Sequence, residues 1–210
     1  MKTLLLFTLI VFVCISNTSA QKFQVGAELG PNISGAIVKD PGGDPSGKPL
    51  FGVQAGAFAG YSFSSGTTGI GGRLLYSYEG YKATVYDTKS TIHVSFIKIP
   101  VNFEYHPGGL KGKWLFGLGP YFGIGVGGNY TNQQDGKVKI HFGNDENKDD
   151  LKRLDIGADL MGGYKINNKL QVRADAEYGI VDYLTPGSTA VASAHTFSVG
   201  LTAAYSLWQK

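Results

Sequence analysis

The sequence predicts an all-β fold: an eight-stranded antiparallel up-and-down transmembrane β-barrel that follows a cleaved signal peptide. Three observations carry this. Apolar and polar residues alternate with period 2 through segment after segment, the pattern of strands with two different faces. No apolar run after residue 20 is long enough for the roughly 20 residues of a spanning helix. Long polar loops alternate with short turns, and the strands that end at the short turns finish on tyrosine.

The N-terminus reads Met1-Lys2-Thr3, then a nearly unbroken apolar run from Leu4 to Ile15, then Ser16-Asn17-Thr18-Ser19-Ala20. These are the charged, apolar and small-residue regions of a secretory signal peptide, with cleavage expected after Ala20. Residues 1–20 are thus leader and 21–210 one barrel domain, since no linker-like composition divides the rest. The single cysteine, Cys14, lies in the leader behind Val13 rather than a small residue, so lipidation is not expected. A mature chain without cysteine cannot rely on disulfides or thiol chemistry. Removing Lys2 leaves 18 basic against 16 acidic residues, a balance that names no charged partner and holds no basic cluster for nucleic acid. Glycine at 31 and tyrosine plus phenylalanine at 24 are high for a chain of moderate hydropathy, and a barrel wall uses both types.

The first strand is expected at about 22–30, with Phe23, Val25, Ala27 and Leu29 opposite Gln24, Gly26 and Glu28. Asp40 to Gly47 is dense in turn formers. The second strand covers Phe51 to Phe63, with alanines and aromatics opposite Gly52, Gln54, Gly56, Phe58 and Gly60. The third, at about 70–81, sets Ile70, Leu74, Tyr76 and Tyr78 against Arg73, Ser77 and Glu79. After a loop at 82–90, the fourth runs to Tyr105. Its apolar phase shifts from Ile92, Val94 and Phe96 to Ile97, Ile99 and Val101, which predicts a bulge between Phe96 and Pro100, where a proline's missing donor is tolerated.

The fifth strand, Trp114 to Tyr130, places Trp114, Phe116, Leu118, Phe122, Ile124, Val126 and Tyr130 on one face and a run of glycines on the other. Thr131 to Asp150 reads as a solvated loop. The sixth strand follows at about 154–166 and the seventh at about 170–180, with Gln171, Arg173, Asp175 and Glu177 on one face. The last spans about 196–208.

Alternation alone fits a soluble lipocalin-like barrel of reversed polarity equally well. The membrane version is favoured by two rings of outward tyrosines, Tyr61, Tyr105, Tyr164 and Tyr205 at one end and Tyr76, Tyr78, Tyr130 and Tyr178 at the other. The glycine face of the fifth strand also favours it, because it leaves room inside for long charged side chains such as Arg73, Lys98 and Arg173. In lipid each basic residue at the outer midplane would cost roughly 2–4 kcal/mol, so the charges must point inward. An eight-stranded barrel is just wide enough for side chains to fill. Glu28, Glu79, Glu104, Asp155, Asp159, Asp175 and Glu177 are therefore expected to meet Arg73, Lys98, Lys165 and Arg173 in a packed polar core.

Few residues suggest chemistry. His93 and Ser95 share a face near the loop end of the fourth strand and would resemble a lipid-ester hydrolase pair if a carboxylate oriented the histidine; two residues do not make a site. Asp145, Asn147 and Asp149 begin like a calcium loop, but Asp150 and Ile156 stand where glycine and glutamate are needed. The glycines of 117–128 have dinucleotide-like spacing without a following helix, so they are barrel wall. His141 is read as exposed. No catalytic, cofactor-binding or metal-binding residue is assigned.

Three segments resemble the PorT-family or outer membrane protein beta-barrel domain proteins of Bacteroidota: Ile97-Lys98-Ile99-Pro100-Val101-Asn102-Phe103-Glu104-Tyr105, Leu115-Phe116-Gly117-Leu118-Gly119-Pro120-Tyr121-Phe122-Gly123, and Leu154-Asp155-Ile156-Gly157 through Arg173 to Ile180. Lys98 stands where that family usually has an acid, and the chain ends Trp208-Gln209-Lys210 rather than on an aromatic. The resemblance implies a barrel in the outer membrane and no single activity. The expected role is accordingly structural or interactive, without catalysis, with polar loops near 35–48, 82–90, 131–152 and 182–194 outside the cell and short turns in the periplasm. The alternatives are a small pore or solute channel, or a lipid A-modifying hydrolase. Expected partners are outer-membrane lipid and lipopolysaccharide, the barrel-assembly machinery during insertion, and a protein met through the loops.

Overall fold

The structure is a computed structural model that describes residues 22–39, 47–63, 66–85, 88–132, 136–143, 151–182 and 193–210. The expected signal peptide, most of the turn-rich 40–47 stretch, the calcium-like residues 145, 147 and 149 and most of the 182–194 loop lie outside the described residues. Nine strands follow in order: β1 Lys22–Lys39, β2 Gly47–Ser62, β3 Thr68–Val85, β4 Thr88–Tyr105, β5 Trp114–Asn132, β6 Gly136–Lys139, β7 Leu154–Lys165, β8 Leu170–Gly179 and β9 Ser193–Gln209. Every pairing is antiparallel between chain neighbours, except that β5 pairs with both β6 and β7, and β9 returns to β1. Eight strands thus close a barrel with no free edge, and β6 is a short extra strand on the loop end of β5. The start of β1, Lys210 and the short turns lie at one end.

The wall follows the period-2 pattern. Leu29, Leu74, Phe103, Leu118, Leu160 and Leu201 are exposed on the outside, while Glu28, Arg73, Glu104, Asp159 and Asp175 are buried inside. A soluble barrel requires the reverse. The strands of 16 to 19 residues exceed the roughly 9–11 needed to cross a membrane, so they stand out of the apolar band at the loop end. The strands therefore run beyond their expected edges: β1 continues nine residues past Gly30, and β3 and β4 occupy nearly all of the expected 82–90 loop. Above the lipid a strand can be polar on both faces, and alternation disappears although pairing continues.

Prolines explain a second difference. The expected bulge between Phe96 and Pro100 is absent from β4, whose even-numbered residues from Val94 to Glu104 are all buried. The register shift lies between Ser95 and Phe96, and the extra residue, Val126, belongs to β5. Ile92, Val94 and Phe96 are apolar residues that point inward. Pro100 sits instead where the ladder to β3 lapses between Gly72↔Val101 and Leu75↔Lys98. Pro31 and Pro120 lie at similar lapses, toward β9 and β4. A proline without an N–H fits where one neighbour already lacks the bond.

The Val126 bulge also inverts the phase of the end of β5. Tyr130, expected on the outer ring, pairs with inward Ile92 and packs against a buried apolar cluster. The other girdle residues are as expected: Tyr76, Tyr105, Tyr178 and Tyr205 are exposed, and Tyr164 packs edge-on to Trp114 at 4.9 Å between centroids.

Candidate functional site

The interior is built from inward positions two residues apart on each strand. On β8 these are Gln171, Arg173, Asp175 and Glu177; on β3 they are Arg73, Leu75, Ser77 and Glu79. Arg73 is the centre. Its Nη2 lies 2.9 Å from Asp159 Oδ2, and its Nη1 lies 3.1 Å from Asp175 Oδ1 and 3.8 Å from Glu28 Oε1. Arg173 donates to Glu28 at 3.0 Å, and its guanidinium stacks 4.0 Å over the Phe58 ring. The amide groups of Gln54 and Asn102 donate to Asp175 at 3.1 Å and Asp159 at 2.5 Å.

Nearer the loop end Lys98 Nζ lies 2.5 Å from Glu79 and 2.6 Å from Glu177. Ser77 donates to Glu79 at 2.8 Å and Asn32 to Ser77 at 2.9 Å. Asp155 accepts from Tyr121 at 3.1 Å and Thr196 at 2.8 Å, and Glu104 faces His106 at 3.3 Å. Burying these charges is costly unless they are paired, and Arg73, Lys98 and Arg173 each face acids. The packed polar core expected from the alternation is present, except that Lys165 is only half-buried near the turn end.

Carboxylate oxygens of Asp159, Asp175 and Glu177 lie within 4.8 Å of one another, a spacing that fits a cation. Arg73 already bonds two of these acids and Lys98 the third, so side-chain cations occupy that role.

Above this network lies an apolar layer. Val94 and Phe96 meet Ile140 and Leu151, with Ile92, Tyr130 and Phe142 packed around them. Ile140 and Phe142 come from the segment after β6, which folds back so that Phe142 bridges to Leu151. The stretch 131–152 is therefore not wholly a solvated loop, as its polarity suggested. Ala36, Tyr81 and Ala194 form a second apolar cluster, with Ile92 against it. The phase change at Ile92, Val94 and Phe96, expected to mark a bulge in β4, marks this cap instead.

His93 and Ser95 share the outer face as expected. Ser95 accepts a hydrogen bond from Tyr76 at 2.9 Å, and the His93 ring stacks on Tyr78 at 5.3 Å. His93 Nδ1 has no hydrogen-bond partner among the described residues, so no carboxylate orients the ring through that nitrogen. His141 is exposed. The glycine face of β5 makes room more selectively than expected. A Cβ at Gly123 would only make ordinary contact with Asp155 and Lys98, at 3.4 and 3.7 Å, while one at Gly125 would strike Phe142 at 2.7 Å. Arg73 and Arg173 find their space elsewhere.

Comparison with solved structures shows similarity to Neisserial surface protein A, with 12% identity, 87% of this chain and 96% of that chain covered, and a TM-score of 0.48. The attachment invasion locus protein Ail of Yersinia pestis, solved with the heparin analogue sucrose octasulfate, shares 12% identity over 88% and 99% of the two chains, with a TM-score of 0.48. OprG of Pseudomonas aeruginosa shares 12% identity over 89% and 94%, with a TM-score of 0.46. No curated protein matches the chain. The family model for the outer membrane protein beta-barrel domain matches residues 17–184. With a closed antiparallel wall, an apolar exterior and a charged interior, the chain belongs to the outer membrane protein beta-barrel domain family and resides in the outer membrane.

Proposed function

We propose that this protein is a non-conducting outer-membrane barrel that acts structurally or through contacts made by its loops, without catalysis. The observation that carries this reading is the filled lumen, in which Arg73, Lys98 and Arg173 are locked between carboxylates beneath an apolar cap. Residues 1–20 act as a cleaved signal peptide and 21–210 form the mature barrel. The loop end faces the cell exterior and the short turns face the periplasm. The segments around Ile97–Tyr105 and Leu115–Gly123 support a narrower kinship with PorT-like proteins of Bacteroidota. In this reading the assembly machinery inserts the chain, lipopolysaccharide surrounds it, and a protein partner is met at the loops.

Reconstitution into planar bilayers tests the closed lumen. Silent membranes are the expected result; discrete, ohmic single-channel steps would replace this reading with that of a small pore. Hydrolysis of lipid A by the native protein, lost in Ser95→Ala, would replace it with that of a lipid-modifying enzyme.

A further inference from the structure

Among the described residues the outward charges are sorted as strongly as the inward ones. Among the described residues no Asp or Glu side chain is exposed: the seven strand carboxylates are buried and Asp182 is half-buried. The exposed charges of the described residues are cationic, and at the loop end they form a row.

Lys48 on β2 pairs with Lys82 on β3, Lys82 with Thr91 on β4, Thr91 with Thr131 on β5, and Thr131 with Lys137 on β6. Directly opposed residues of antiparallel strands share a face. That face is the outer one, because Tyr81 beside Lys82 is buried inside, and Val138 beside Lys137 pairs with inward Tyr130. Lys139 lies one step lower in the next row, opposite Asn129. Lysines directly opposite one another repel, so the Lys48–Lys82 pair works against the hairpin unless an anion sits across it.

The height of the row narrows the choice of anion. Lys82 is four residues beyond Tyr78, and at about 3.3 Å per residue on a strand tilted by about 40° the row stands about 10 Å above that ring. The outer aromatic girdle marks the hydrocarbon boundary, so this is the sugar-phosphate layer of the outer leaflet. Lysine ammoniums and threonine hydroxyls side by side supply donors and positive charge for phosphate oxygens.

We propose that the outer face of the β2–β6 wall binds the phosphate groups of lipopolysaccharide, with Lys48, Lys82 and Lys137 as charge contacts, Thr91 and Thr131 as hydroxyl donors and Lys139 beneath them. The inference rests on the proposed orientation with the loop end outside. It gives the barrel one lipid-anchoring side, and it fixes how the molecule is turned in the leaflet.

The test uses the full mature barrel in detergent, with native mass spectrometry of lipid retention at increasing salt. The probes are bisphosphorylated lipid A and the same lipid with its phosphates removed. The native protein is expected to retain the phosphorylated form preferentially, with the preference falling as salt rises. The triple variant Lys48→Gln/Lys82→Gln/Lys137→Gln is expected to lose on the order of 100-fold in affinity, taking three charges at an anionic surface. Heat-modifiable migration of the variant shows that it is folded. Equal retention of the two lipids, or an unchanged triple variant, overturns the proposal, as does tighter binding of a soluble heparin fragment than of lipid A. A separate arm places Lys137→Cys on intact cells with an impermeant maleimide. Labelling only after permeabilisation overturns the orientation itself, whereas labelling without phosphate preference overturns the lipid site alone.

Discussion

Replacing Arg73 with leucine strips three acids of their shared counter-ion at the centre of the lumen. At an effective dielectric of about 20, charges about 3 Å apart attract by roughly 5–6 kcal/mol, so the contacts to Asp159 at 2.9 Å and Asp175 at 3.1 Å are large gross terms. Most of this attraction offsets the cost of taking the guanidinium out of water, and removing one partner of a buried pair typically leaves a net loss of about 3–5 kcal/mol. Gln54 and Asn102 still donate to the orphaned acids, which holds the loss within that range. Urea unfolding in phospholipid vesicles, followed by the fluorescence of Trp114 and Trp208, reads the difference. Adding Asp175→Asn and Asp159→Asn to Arg73→Leu is expected to recover about half of the loss or more, because Glu28 keeps Arg173 as its partner and no unpaired charge then remains near the site. A single variant less than about 1 kcal/mol below the native protein would show that water reaches these acids and that the lumen is not packed as described.

Other positions are expected to respond in ways that separate lumen, wall and cap. Leu118→Arg, on the exposed face, should cost roughly 2–4 kcal/mol in the same vesicles, while a gentler loss would place that face out of lipid. At Gly200 an added side chain would meet Gln54 and come 2.8 Å from Asp175 Oδ2, so Gly200→Val should destabilise by about 1–3 kcal/mol through overpacking, and a neutral result would deny the crowding there. Phe96→Ala opens the cap between Val94 and Ile140 and should lower stability by about 3–5 kcal/mol while the Arg73 layer keeps bilayers silent. Conductance from that variant would locate the barrier in the cap rather than in the ion pairs.

Most of the wall is legible in the sequence because lipid on one side and a narrow lumen on the other leave each strand residue only two choices. Arg73, Asp175 and Glu177 are identifiable as interior residues before any coordinate is known, since nowhere else in a membrane barrel tolerates them. Which acid meets which base is not legible. Glu28 reaches Arg73 and Arg173 across sequence separations that only the closed register sets. Periodicity also fails where the environment stops alternating. Thr84 and Lys89 look like loop residues but belong to paired strands above the lipid. Ile92, Val94 and Phe96 look like lipid-facing residues but lie under Ile140 and Leu151, because the interior changes from polar to apolar at that height. Tyr130 turns inward for a related reason: Val126 is one extra residue, and a single insertion turns every later side chain over.

The polarity of the wall can be read residue by residue along β4. Cys14 is the one cysteine of the sequence and precedes β1, so in protein produced from residue 21 spin labels can be placed singly at residues 97 to 103 in vesicles and their collisions with oxygen and with a water-soluble nickel chelate compared. High oxygen accessibility is expected at Ile97, Ile99, Val101 and Phe103, and low values for both reagents at Lys98, Pro100 and Asn102. Nickel-chelate accessibility at the odd-numbered positions, or no alternation at all, would contradict a barrel that turns its apolar face to lipid.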